Sequence, residues 1–199
     1  ITKNNMKTDI ILAGVGGQGI LSIATTIGSA AVSRNLYLKQ AEVHGMSQRG
    51  GDVQSHLRLS DMPIASDLVP KGKVDLIISV EPMEALRHVD MLSSDGWLIT
   101  NKATFENIKD YPEAEAIYAE IKKVKNHVII DGDAIAKKLG NPKAANIAVL
   151  GAAAKYIDMP FESFEDAIRT IFGRKGEAVV DLNIKVLHAG AEAARNYQA

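Results

Sequence analysis

Two glycine-bearing polar segments hold the residues of this chain best suited to chemistry. One is Gly14-Val15-Gly16-Gly17-Gln18-Gly19; the other is Glu42-Val43-His44-Gly45-Met46-Ser47-Gln48-Arg49-Gly50-Gly51. Glycine lets a backbone enter positive φ or approach a partner closely. Arginine offers a planar fork of donors to an anion, and histidine exchanges protons near neutral pH. His44, Gln48 and Arg49 are therefore the supporting catalytic candidates. They do not make a complete catalytic set, because no nucleophile turn of the type Gly-x-Ser-x-Gly accompanies them. Taken singly, each also has a structural reading: His44 as a loop histidine bonded to backbone, Arg49 as an ion pair with Glu42 or Asp52. The glycines around them favour a functional loop.

Gly14-x-Gly16-x-x-Gly19 matches the dinucleotide fingerprint, with an apolar run before it and a helical pattern after it. N–H groups at a helix start attract anions, so Gly14, Gly16, Gly17, Gln18 and Gly19 are the candidates for holding a cofactor or another anion. The fingerprint also expects an acid about 20 residues further on, to hold a ribose. Counting from Gly19, that position is Lys39, and Glu42 arrives late, inside the second polar segment. No Gly-Lys-Ser/Thr follows the turn, so a Walker-type phosphate loop is absent. Three readings stay open: a nicotinamide-dinucleotide turn, a plain strand-to-helix turn, and part of an interface or shared site. Other candidates carry less. His56 and Arg58 share one strand face, which lines the same surface or is simply solvated. His88 and His127 have no partner at ligand spacing, and no metal site is read. Asp131-Gly132-Asp133 has the wrong order for the thiamine-diphosphate motif Gly-Asp-Gly.

These residues need elements to position them. Asp9-Ile10-Ile11-Leu12-Ala13 is a short apolar run ending in glycines, which predicts a buried strand. Ile20, Leu21, Ala24, Ile27 and Ala31 recur at helical spacing and predict a helix over 18–33, with Asn35 as its stop. Residues 36–41 read as a second strand. Apolar and polar residues alternate over 52–59, predicting a half-exposed antiparallel strand, and Asp61-Met62-Pro63-Ile64 predicts a tight turn with a short return strand, an inserted hairpin. Further strands are expected over 74–80, 96–101 and 126–131. Glu81-Pro82 opens a helix reaching Met91, and Gly132 opens another reaching Leu139. The polar stretch 109–120 predicts a loop with a short element. After Gly140-Asn141-Pro142, helices are expected over 144–157, 161–172 and 176–194. Alternating strands and helices predict an α/β fold: an open, Rossmann-like, mostly parallel mixed sheet with an inserted hairpin and a helical C-terminal third.

A length of 199 residues suffices for one domain with its own core. It is read as a single domain over 9–199 behind a flexible leader, 1–8, in which Met6 is the natural start. Hydrophobic residues make up 46% and charged residues 24%, as in ordinary globular proteins. A formal net charge of −1 argues against a nucleic-acid partner. The chain has no cysteine, which excludes a disulfide scaffold, a thiolate zinc site and a cysteine-ligated iron–sulfur cluster within it. No apolar run reaches the ~20 residues of a membrane helix, and 1–8 lacks the apolar core of a signal peptide. The expectation is a cytoplasmic protein with no membrane contact.

At the 14–19 turn and the 42–51 run, the chain resembles the gamma-type domain of 2-oxoacid:ferredoxin oxidoreductases, and within that family the indolepyruvate branch. Asn146 ahead of Val149-Leu150-Gly151-Ala152, and the 175–183 stretch, also fit, so the resemblance spans about 9–193. The 42–51 run is its most specific part. The resemblance implies a two-subunit enzyme that oxidatively decarboxylates an aryl pyruvate to an acyl-CoA and passes electrons to ferredoxin. It implies that thiamine diphosphate, Mg, [4Fe-4S] clusters and CoA enter the holoenzyme through a larger partner subunit. This chain would bind none of them firmly and be inactive alone, in agreement with its missing cysteines. The glycine turn would then contact CoA, another anion or only the partner, with Arg49 and the turn's N–H groups attracting a carboxylate or a CoA phosphate. Two alternatives stand beside this: a free-standing NAD(P)-binding Rossmann protein, and the gamma subunit of a pyruvate or 2-ketoisovalerate ferredoxin oxidoreductase.

Overall fold

The computed structural model describes residues 6–44 and 50–198. Its centre is a six-stranded sheet in the order β2-β3-β1-β4-β5-β6. The strands are β1 (Lys7–Val15), β2 (Tyr37–His44), β3 (Asp52–Ser60), β4 (Val74–Ser79), β5 (Leu92–Asn101) and β6 (His127–Ile130). From β1 through β6 the neighbours β1–β4, β4–β5 and β5–β6 are parallel, while β3 runs antiparallel to both β1 and β2. The expected mixed α/β sheet is what the chain forms.

Helices cover both faces, which is why the parallel strands read as unbroken apolar runs. In β1, Ile10 and Leu12 enter the larger core with α1 (Ile20–Ser33), α4 (Gly132–Lys138), α5 (Ala145–Ala153), α6 (Phe161–Phe172) and α7 (Glu177–Arg195). Ile11, between them in sequence, points the other way and joins Ile77 and Leu98 under α2 (Pro82–Leu86) and α3 (Ala114–Ile121). Every residue of α5 from Asn146 to Ala153 is buried. That helix packs backbone to backbone on α7 through two glycines. A Cβ on Gly151 would lie 2.0 Å from the Leu187 carbonyl oxygen, and one on Gly190 would lie 2.0 Å from that of Ala148.

Asn35 stops α1 as expected, with φ +58 and its N–H bonded to the Val32 carbonyl. Several expectations need correction. Residues 61–73 carry no strand, so the return strand at Asp61–Ile64 is not formed. The hairpin is instead β2–β3, joined through the 45–51 segment. Nor is β3 half exposed: it lies between β1 and β2 with Ser55, His56, Leu57, Leu59 and Ser60 all buried. Its outer face is covered by the 61–70 stretch. The helix expected as far as Met91 ends at Leu86 and continues only as a 3₁₀ turn over Val89–Met91. β1 starts at Lys7, inside the stretch read as a leader, because Thr8 pairs with Leu59 and is buried.

Candidate functional site

The parallel strands β1, β4, β5 and β6 end on one edge of the sheet. From β1 the chain leaves through α1 toward β2; from β4 it leaves through α2 toward β5. The β1–β4 junction is thus a topological switch point, where open α/β sheets bind ligands outside the strand ends. The glycine turn lies there. A side chain on Gly14 would force its neighbours to shift, since a Cβ would come within 2.4 Å of Val80 Cγ2 and 2.9 Å of Ile20 Cδ1. Gly19 caps α1 at φ +84, and a Cβ on it would meet Asn146 Nδ2 at 2.5 Å. Asn146 donates from Nδ2 to the Gly19 carbonyl at 3.0 Å, and Gln18 Oε1 accepts from the Val15 N–H at 2.8 Å. Gln18 is therefore a brace of the turn, folded back on its own strand.

The two polar segments meet, as their sequence positions suggested. Gly16 N–H donates to the Gly51 carbonyl at 2.8 Å, and Gly50 N–H donates to the Gly16 carbonyl at 3.3 Å. Asn107 Nδ2 reaches the Gly50 carbonyl from the loop after β5, at 3.0 Å. His44 ends β2 opposite Val53. The His44 side chain, Gln48 and Arg49 lie outside the described residues, as does Gly45.

The dinucleotide reading loses its geometry here. In the fingerprint fold the ribose-binding acid ends a strand next to β1. In this sheet β3 intervenes, so β2 is two strand spacings away, roughly 10 Å. Lys39, at the counted position, donates instead to the Ala65 carbonyl at 3.0 Å.

Sequence reading missed the acidic group beneath the rim. Glu81, fully buried at the end of β4, accepts from Glu84 N–H at 2.8 Å and Phe105 N–H at 3.3 Å, and from the Tyr111 hydroxyl. Burial, then the Glu81 carboxylate, holds the Tyr111 hydroxyl firmly protonated. Glu84, 1% exposed, is pushed up to about 7, first by burial. Arg87, with Nε 2.8 Å from Oε2, opposes the rise, while Asp52 and Glu81 add to it and Asp52 shares a hydrogen bond. The signal available was Glu81-Pro82-x-Glu84, an acid capping a helix that starts with proline. Tyr111 and Asn107 gave none.

A pH-dependent stability follows. An acid whose folded-state value lies above its ordinary 4.5 binds its proton more tightly in the folded chain. Its contribution is complete below about 4.5 and is lost as pH rises through about 7. Glu84→Gln keeps a neutral group there, so it is expected to raise Tm more at pH 8 than at pH 5. Thermal melts at the two pH values check this, and an equal or reversed effect would contradict it.

The remaining candidates are structural. Arg58 forms a bidentate pair with Asp9, Nε to Oδ1 at 2.7 Å and Nη2 to Oδ2 at 3.1 Å. His56 Nδ1 accepts from Val69 N–H at 3.0 Å, and burial, aided by Arg58, lowers its pKa. His127 Nδ1 faces the Val124 carbonyl at 2.7 Å. Burial likewise lowers His88. Among the described residues no group of three or more His, Asp or Glu is arranged to hold a metal ion, and no helix is long and apolar enough to cross a membrane.

Residues 9–193 match the family model described as pyruvate ferredoxin/flavodoxin oxidoreductase. An indolepyruvate oxidoreductase subunit IorB of Archaeoglobus fulgidus is 38% identical over 93% of this chain and 94% of its own length. The subunit of the same name from Pyrococcus horikoshii is 34% identical over 94% and 96%. Among solved structures, the gamma subunit of a keto/oxoacid ferredoxin oxidoreductase from Geobacter sulfurreducens aligns over 96% of this chain and 99% of its own, with TM-score 0.69 and 22% identity. A 2-oxoglutarate:ferredoxin oxidoreductase chain from Magnetococcus marinus aligns with TM-score 0.76 and 17% identity; this chain covers 32% of it. At those identities the structures speak for the fold alone. The resemblance carried by the two glycine-bearing segments is borne out over nearly the whole chain.

Proposed function

The chain belongs to the pyruvate ferredoxin/flavodoxin oxidoreductase family, and on that premise we propose that it is the thiamine-free subunit of a two-subunit indolepyruvate ferredoxin oxidoreductase. It supports oxidative decarboxylation of an aryl pyruvate to an acyl-CoA, with electrons passed to ferredoxin. The observation that carries this reading is the full-length match, at 38% identity, to an indolepyruvate oxidoreductase subunit.

The cofactors divide between subunits by donor chemistry. With no cysteine, this chain does not fit an iron–sulfur cluster. Its described residues offer no carboxylate and histidine cluster for a divalent ion. Those groups, with thiamine diphosphate, belong to the larger partner. What this chain contributes is an anion-receptive edge: the start of α1 with no acid in its first turn, behind a glycine turn tied to the 50–51 backbone. Arg49 adds a guanidinium beside it in sequence. This edge faces the partner's cleft and, with the Arg49 charge, attracts a carboxylate of the oxoacid or a phosphate of CoA.

The test is co-expression with the larger subunit, followed by indolepyruvate-dependent reduction of a one-electron dye. The complex is expected to reduce the dye and this chain alone to be inactive. Arg49→Ala is expected to leave the complex assembled but lower kcat/KM by roughly 10-fold or more, the effect of one lost charge-assisted hydrogen bond. Unchanged kinetics would remove Arg49 from the site. Oxoacid oxidation by the isolated chain, or tight binding of a nicotinamide nucleotide to it, would overturn the reading itself.

A further inference from the structure

The ladder between β1 and β3 ends at Val15↔Asp52, and the next rung is glycine on glycine. Gly16 N–H to the Gly51 carbonyl and Gly50 N–H to the Gly16 carbonyl continue it past the last side chains. Gly50 sits at φ +78, and among the described residues nothing lies within 4 Å of where a Cβ would be. A half-buried glycine rung at the end of a ladder, with no side chains to pack, frays readily. What holds this one is remote in sequence. Asn107 Nδ2 donates to the Gly50 carbonyl at 3.0 Å across 57 residues, while its Oδ1 is buried without a partner among the described residues. An amide that leaves a buried acceptor unmatched is a poor way to gain stability, but it fixes the position of one carbonyl. Its own loop is tied down by hydrogen bonds on both sides. Asn107 N–H bonds the Phe105 carbonyl at 2.8 Å, and Glu81, fully buried, accepts from Phe105 N–H and the Tyr111 hydroxyl on either side of it.

We propose that Asn107 is a positioning residue of the enzyme: from the loop after β5 it locks the glycine rung, and through Gly16 it sets the geometry of the turn that opens α1. This rests on the reading of that turn as the anion-receptive edge of an oxidoreductase subunit. Asn107 touches no reacting atom; it acts through Gly50 and Gly16.

The experiment pairs two readouts on Asn107→Ala and the isosteric Asn107→Asp, which loses the donor and turns a charge toward the Gly50 carbonyl. Amide hydrogen exchange of the full chain is expected to speed about 5- to 10-fold at Gly16 and Gly50 in both variants, the change in opening that one lost hydrogen bond produces. Exchange in the β4 and β5 amides stays as in the parent. In the complex with the larger subunit, kcat for dye reduction is expected to fall on the order of 10-fold, as small displacements of a site do. Tm changes little. Unchanged exchange at Gly16 and Gly50 overturns the proposal, and so does faster exchange with unchanged kcat. Failure of the parent complex to turn over any 2-oxoacid would instead fell the functional reading, while the exchange result would still report on the lock.

Discussion

Gly190→Ala is expected to lower Tm by roughly 10 °C, from a loss of about 3 kcal/mol, although it adds a single methyl group. The new Cβ would sit 2.0 Å from the Ala148 carbonyl oxygen and 2.7 Å from its carbonyl carbon. Both obstacles are helix backbone, which cannot swing aside as a side chain can. α7 would have to lift from α5, and α5 is buried along its whole length from Asn146 onward. Parting the pair opens the larger core, in which Val149, Leu150, Val186 and Leu187 are fully buried. Gly173→Ala is the control. It has φ −52 and nothing within 4 Å of the added carbon, so the same change there is expected to be neutral or slightly stabilising. Thermal or urea melts of the two variants check the pair. A Gly190→Ala loss below about 1 kcal/mol would mean that the helices do not meet backbone to backbone.

That contact also marks where sequence reading stops. The strands β1, β4, β5 and β6 were legible because each is a short apolar run with both faces to bury, and α6 and α7 because their apolar residues return at helical spacing. These are local patterns. The two segments of the candidate site were also legible, since glycine turns and a clustered acid, histidine and arginine stand out from packing sequence. What was not legible depends on partners far along the chain. The alternation in β3 was read as one wet face, yet that face is roofed: Arg58 Nη1 donates to the Ser66 and Leu68 carbonyls at 3.0 and 3.1 Å, and Val69 N–H reaches His56. Polar residues at those positions satisfy buried hydrogen bonds, which a hydropathy pattern cannot separate from solvation. The anchors of the rim, Glu81, Asn107 and Tyr111, escaped for the same reason. Each finds its partner across 24 to 57 residues.

Arg58→Leu is expected to cost about 3 kcal/mol or more, because it strands a charge. Asp9 is 1% exposed, and Arg58 supplies two of its bonds in a fixed fork. Lys7 Nζ, 2.6 Å from Oδ2, remains but is half exposed and flexible, and it cannot replace the second contact. Removing one partner of a buried pair leaves the other charged and desolvated, which is the costly case. Removing both is different. Asp9→Leu/Arg58→Leu is expected to recover a large part of the loss, since leucines fit beside the apolar residues of β1 and β3 and no buried charge remains. The Ser66 and Leu68 carbonyls, on exposed residues, turn to water. Urea melts of the two single variants and the double variant close the cycle. A double variant as unstable as the sum of the singles would show that Asp9 and Arg58 act independently. The expected coupling would assign Arg58, a candidate for the surface that carries the chemistry on its sequence position alone, to neutralising the buried Asp9 carboxylate.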